Sequence, residues 1–323
     1  MKNKIKKIIV IIIFFIGLLI FIYPTASKII NNYLIQKTIS NYKQDIAKIN
    51  VTDNDENQQQ SLQVEGEENN SHTKEELGEL FNKMQSYNEN IFNEGQQNLI
   101  DPFSYELPSF DLLELGFKDN IIGYLTIPKM EIEVPIYLGA TQENMKKGAV
   151  HLSQTSIPIG GNNTNSVIAA HRGMKSHPMF RDIENLSIGD EIKVTNMWDE
   201  LIYKVVETKI ISPDEVSEVL IQEGRDLITL ITCHPYTKNY QRYVVYCERQ
   251  ENITNKLEVV LEESDIGNEN KPVGLSKESA IENKRVYNIA NIENIFRDIG
   301  IFLIVLFLGY VFYRTIRKRE SKS

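Results

Sequence analysis

The sequence predicts a mainly β domain, a closed barrel or sandwich of short strands, held outside a membrane between two apolar helices. Three observations predict it. Short β-rich segments broken by Gly and Pro run from Asn120 to Cys247. Two uncharged apolar runs, Ile8 to Ser27 and Ile299 to Tyr313, lie near the ends, each with Lys or Arg on its outer side. Between these runs and the strands the chain turns polar, as a tether does.

The first run is long enough to span a hydrocarbon core of about 30 Å as a helix. Thr25-Ala26-Ser27 also resembles a signal-peptide cleavage site, but the run exceeds a usual signal core, which favours a retained anchor. The second run covers only about 22 Å at ~1.5 Å per residue. Ile295 and Phe296 extend it, with Arg297 snorkelling toward the headgroups. Basic clusters stay cytoplasmic, so both termini are expected inside and Lys28 to Asp298 outside.

The expected organisation is a cytoplasmic tip and transmembrane helix (1–27) and a helical and linker extension (28–100). A β domain with its N-terminal approach (101–262), a tether (263–294) and a second transmembrane helix with a basic tail (295–323) follow. Lys28 to Ile49 has helical spacing of Ile29, Ile30, Leu34, Ile35 and Ile39, continuing the first helix outward. Asn50 to His72 is a solvated polar linker. Thr73 then opens a second amphipathic helix as N-cap, with Glu76 three residues on completing a capping box.

Strands are expected at Gly123 to Ile127, at the alternating Ile132, Val134 and Ile136, and at Ser166 to Ala170. Further strands are expected at Glu191 to Asn196, Leu201 to Ile211, Leu227 to Thr232 and Arg242 to Cys247. Asp214 to Gln222 reads as a short helix, and Gly160-Gly161-Asn162-Asn163 as a turn rather than a phosphate cradle. The net charge of −9 speaks against nucleic acid as a partner and against a polybasic surface module. The histidines lack ligand spacing and the acids lie mostly in linkers, so neither metal nor cofactor is expected.

Three residues stand at predicted strand ends: Cys233, His171 and Arg242. Strand ends hold side chains at a rim on rigid backbone. A thiol becomes a good nucleophile beside positive charge. An imidazole can protonate a leaving amine, and a guanidinium can hydrogen-bond a developing oxyanion. Each residue taken singly also fits a structural role. The other cysteine, Cys247, lies five residues beyond Arg242. If Cys233 faces Arg242 in a hairpin, Cys247 is about 16 Å away at ~3.3 Å per residue. A disulfide needs Cα atoms within roughly 7 Å, so Cys247 reads as a small buried residue.

Thr229-Leu-Ile-Thr-Cys233 resembles the Thr-Leu-X-Thr-Cys signature of the sortases, with Arg242 nine residues on, and Ala170-His171-Arg172-Gly173 matches their histidine segment. The resemblance runs from about Asp101 to Arg249. It implies an eight-stranded β-barrel with short helices and a cysteine transpeptidase activity. Cys233 is then the nucleophile, His171 the acid/base, Arg242 the oxyanion stabiliser and Thr232 a substrate-binding or supporting neighbour. The second apolar run and Asp101-Pro102-Phe103 resemble class C, the pilin-polymerising type, where an Asp-Pro-aromatic lid covers the empty site. By that analogy Asp101 pairs with Arg242 and Phe103 covers Cys233. The implied partners are pilins or other surface proteins carrying a Leu-Pro-X-Thr-Gly-like signal, joined to a lysine amine. Anchoring to peptidoglycan, or a non-catalytic surface barrel, are the alternatives. His234 stands where many class C chains have threonine. Alternation along a strand turns it away from the Cys233 thiol, and His177 is expected in solvent.

Overall fold

The computed structural model describes residues 2–51, 73–97, 99–104, 107–115, 117, 119–173, 178–250 and 300. The chain divides into two compact units, Met1–Glu258 and Val259–Ser323. The expected tether and, apart from residue 300, the second membrane helix lie outside the described residues, as do the linker from 52 to 72 and His177.

Helix α1 (Lys2–Val51) runs from the first apolar segment into the expected extension without a break in helical backbone. It bends by 41° between Phe15–Tyr23 and Thr25–Ala47. Pro24 falls between these two parts in sequence, and a proline inside a helix lacks the backbone N–H that would complete the ladder. Among the described residues no single helix is long and apolar enough to cross a membrane, but this bent pair together is. Further on, α1 docks on the β domain. Ile39 is buried, the Tyr42 hydroxyl donates to the Ile122 carbonyl at 2.8 Å, and Lys43 pairs with Glu133 at 2.8 Å.

Helix α2 (Lys74–Glu94) starts on the predicted capping box: the Glu76 amide donates to Thr73 Oγ1, and the Thr73 amide donates to the Glu76 carboxylate. Leu77, Leu80, Met84 and Ile91 form its buried stripe. Asn88, buried among them, matches the Ile157 peptide with both halves of its amide, at 2.7 and 3.2 Å. Phe81 and Trp198 meet edge to face at 5.3 Å.

The strands are β1 (Ile121–Ile127), β2 (Ile132–Leu138), β3 (Ala149–His151), β4 (Thr164–Ala169), β5 (Glu191–Asn196), β6 (Glu200–Ile211), β7 (Asp226–His234) and β8 (Gln241–Arg249). They close into a barrel in the order β1-β2-β3-β4-β7-β8-β6-β5, so the sandwich alternative falls. A short helix α3 (Gln142–Lys147), capped by Thr141, bridges β2 and β3. All eight strands contribute to one interior cluster, including Leu125, Ile136, Ile168, Tyr203, Leu230, Tyr243 and Cys247. A second apolar cluster, with Val167, Ala169, Ile231, Val244 and Tyr246, covers the opposite face of β4, β7 and β8.

The structure differs from the sequence expectations at three points. Strand β3 has no counterpart among them; three residues are too few to show an alternating pattern. Asp214 to Gln222 forms only a one-turn 3-10 segment, Val216–Val219. Its carbonyls bond sideways into the barrel: Asn165 donates to those of Val219 and Leu220, and Tyr246 to that of Glu218. So short a segment gains little from its own helical bonds. Finally, β7 continues through Cys233 to His234, so the cysteine sits within the strand rather than after it.

His151 at the end of β3 is wholly buried. Its Nε2 stands 2.9 Å from the Ser156 carbonyl, which can only accept, so Nε2 carries the proton; Nδ1 has no hydrogen-bond partner. Burial pushes the imidazole down to about 4, against the weaker pull of Ser156 and Thr155. An unfolded histidine titrates near ~6.5, so below that pH the unfolded chain binds a proton that the folded one refuses. Stability therefore falls on acidification from about pH 6.5 to about pH 4, by up to about 3 kcal/mol. Denaturant unfolding of the detergent-solubilised chain should show a smaller acid loss in His151→Gln; parallel losses would contradict this.

Candidate active site

Register brings the three predicted residues together. Strands β7 and β8 are antiparallel neighbours, and Cys233 pairs directly with Arg242. On its other side β7 runs parallel to β4, with Ala169 opposite Ile231. Continuing that register by two residues puts His171 beside Cys233. The Ala170 amide, donating to the Ile231 carbonyl at 3.2 Å, shows the pairing persisting past the end of β4. Cys233 thus stands on the middle one of three adjacent strands, about 4.8 Å apart, between an imidazole and a guanidinium.

The three side chains share the outer face of the sheet with Ile231, Val244 and Ala169. Over this face lies Asp101 with the 3-10 turn Pro102–Ser104, closed by the Ser104 amide on the Asp101 carbonyl at 2.9 Å. Asp101 holds Arg242 by two parallel bonds, 2.6 Å to Nε and 2.7 Å to Nη2. Nη1 of Arg242 donates to the carbonyls of Asn239 and Gln241. Phe103 stacks between the flanking residues: its ring lies 6.0 Å from that of His171 and 4.9 Å from the Arg242 guanidinium. Cys233 is left 8% exposed.

The charge states follow. Burial pushes the Cys233 thiol up, Asp101 adds to this, and Arg242 and Arg172 pull the other way without prevailing. Burial pushes His171 down. A covered site therefore favours a protonated thiol beside an uncharged imidazole, not an ion pair.

The sequence model of the Sortase domain matches residues 125–250. The Sortase A of Listeria monocytogenes is 30% identical over 162 residues, covering 48% of this chain and 71% of the relative. The chain belongs to the sortase family. The Sortase A of Bacillus anthracis is 34% identical over 128 residues, spanning 40% of this chain and 59% of that one. The chain thus covers less than two thirds of the length of this relative, and 63% of the Sortase D of Bacillus subtilis. The solved structures place this sortase in class C. The sortase C of Clostridium perfringens SM101 superposes with a TM-score of 0.50 at 32% identity, covering 67% of this chain and 99% of that one.

In this sortase the neighbours of the three residues point inward. Thr232 is fully buried and donates from its hydroxyl to the Ala170 carbonyl at 2.7 Å, so it ties β7 to the backbone just before His171. His234 turns away from the thiol as alternation requires, and its ring lies 5.9 Å from that of the interior Tyr243. Cys247 pairs with Ile228 in the interior cluster and, like Cys233, is a free thiol.

Sequence reasoning missed Arg172 and Glu184. Arg172 is buried, forms an ion pair with Glu184, and donates from Nη1 to His234 Nδ1 at 2.7 Å. It follows His171 in sequence as His234 follows Cys233. That shared parity is the signal that could have paired them.

Proposed function

We propose that this chain is a pilus-assembling cysteine transpeptidase, acting on a Leu-Pro-X-Thr-Gly-like sorting signal. One observation carries the reading: in a class C sortase fold, Cys233 stands between His171 and Arg242 on adjacent strands. Solved relatives described as pilus-related sortase C support the substrate class.

The chemistry needs no cofactor. His171 takes the Cys233 thiol proton as the sulfur attacks the threonine carbonyl, and the oxyanion that forms is hydrogen-bonded by Arg242. As the Thr–Gly C–N bond breaks, His171 gives its proton to the departing amine. An uncharged lysine amine of the next pilin then attacks the thioester and passes its proton to His171, and the sulfur leaves and takes that proton back from His171. An isopeptide bond remains and the groups return to their starting state.

Asp101-Pro102-Phe103 acts in this reading as a lid. While Asp101 holds Nε and Nη2 of Arg242, those donors cannot serve an oxyanion. Lid opening therefore uncovers the thiol and frees Arg242 in one event. The chain is anchored by the bent apolar part of α1 and a second span near residues 299–313, with both termini inside and the barrel outside.

Mixing the solubilised chain with candidate pilins and mapping crosslinks by mass spectrometry tests the assignment. A threonine-to-lysine isopeptide, absent with Cys233→Ala, is the expected product. Attachment solely to cell-wall amines would replace pilus assembly with wall anchoring.

A further inference from the structure

Behind the proposed catalytic pair, on the inner side of the sheet, lies a second set of polar groups. Arg172 Nη2 bonds Glu184, Nη1 bonds His234 Nδ1, and Nη1 also stands 3.4 Å from the Cys233 carbonyl. The arginine lies over the ring of Tyr243, at 5.9 Å. Glu184 comes from the 3-10 turn Ile183–Asn185, in the loop whose Phe180 amide donates to the His171 carbonyl at 3.1 Å. Arg172 and His234 are both buried, and Glu184 is nearly so. Burial works against the Glu184 charge, but His234 and Arg172 outweigh it and hold the carboxyl below its usual range.

Each end of this network is covalently next to one of the pair: Arg172 follows His171, and His234 follows Cys233. His171 lies beyond the last regular residue of β4, and its carbonyl is held by the Phe180 amide of the following loop, so sheet bonds alone do not fix it. We propose that Arg172, Glu184 and His234 are positioning residues, a buried clamp that sets the separation of His171 and Cys233 from behind. This rests on reading those two as acid/base and nucleophile. The clamp touches neither substrate nor lid and so acts in the open and closed states alike. Arg172 is also among the groups drawing the Cys233 thiol toward its charged form. A small misplacement of a reacting pair is costly, and breaking the clamp should lower turnover about 10²-fold.

The test uses the full chain in detergent with the lid removed by Asp101→Ala and Phe103→Ala, so that lid motion does not limit the rate. In this background Arg172→Met should lower kcat about 10²-fold for a Leu-Pro-Xaa-Thr-Gly peptide, with KM moving less than about threefold. Arg172→Lys should recover part of the loss. Removing only one charge leaves the other buried and unpaired, so Arg172→Met can also unfold the chain. The paired variant Arg172→Met with Glu184→Leu removes both charges and should keep the melting temperature while still losing kcat. A folded paired variant with kcat within about twofold of its parent would overturn the clamp.

Alkylation of Cys233 by iodoacetamide near pH 7 supplies an arm that needs no peptide. In the lid-removed parent, His171→Ala should slow it, because the imidazole no longer takes the thiol proton. In the paired variant that same change should have almost no further effect; an undiminished effect would again overturn the clamp. If the parent cleaves no sorting peptide, the transpeptidase reading falls, and the alkylation arm still decides the clamp.

Discussion

Replacing His171 with alanine should lower kcat for sorting-peptide cleavage by about 10² to 10⁴-fold, the usual loss when a general acid/base is removed. His171 is the imidazole that the β4–β7 register brings to the outer face beside the thiol. His234 is adjacent in sequence but lies on the inner side against Tyr243. His234→Asn keeps a polar group for Arg172 and should lose less activity than His171→Ala. Activity retained in His171→Ala and lost in His234→Asn, with both variants folded, would reverse the assignment.

Opening the lid should have the second large effect, in the opposite direction. The Asp101–Arg242 pair makes two charge-assisted bonds, and such bonds contribute about 1.5–3 kcal/mol each to a closed state. Losing both bonds, about 3–6 kcal/mol, makes the open form about 10² to 10⁴ times more populated, so labelling of Cys233 by a small thiol reagent should accelerate by up to that factor in Asp101→Ala with Phe103→Ala. The pH dependence should move as well. Burial and Asp101 push the thiol up, and the double variant removes Asp101 and part of the burial while Arg242 stays. Half-maximal labelling should therefore occur at lower pH than in the parent. Unchanged rates and an unchanged profile would show that this turn does not gate the site.

Much of this was legible in the residues. Alternation at Ile132, Val134 and Ile136 and the apolar run into Cys233 located β2 and β7, because one face of each strand is buried and the period shows it. The Thr73–Glu76 capping box formed as predicted, being a purely local set of bonds. The hairpin spacing that set Cys247 far from Cys233 holds, with Cys233 paired to Arg242 and Cys247 to Ile228 in the interior cluster. The missing parts depend on partners far along the chain. The backbone of the Val216–Val219 turn is bonded by Asn165 and Tyr246, so local propensity misjudged it as a helix. Glu184 reaches the site only because a loop folds its carboxylate onto Arg172 and His234, a contact with no local pattern. The proximity of His171 to Cys233 comes from a parallel pairing across 62 residues, which no spacing reveals.

The central claim is that Cys233 takes up the acyl group of the sorting signal. Intact mass and peptide mapping of the lid-removed chain, quenched in acid during turnover of a Leu-Pro-Xaa-Thr-Gly peptide, test it most directly. The expected result is an adduct of the peptide up to its threonine on the fragment carrying Cys233, abolished by Cys233→Ala. An adduct on another residue, or cleavage persisting in Cys233→Ala, would contradict it.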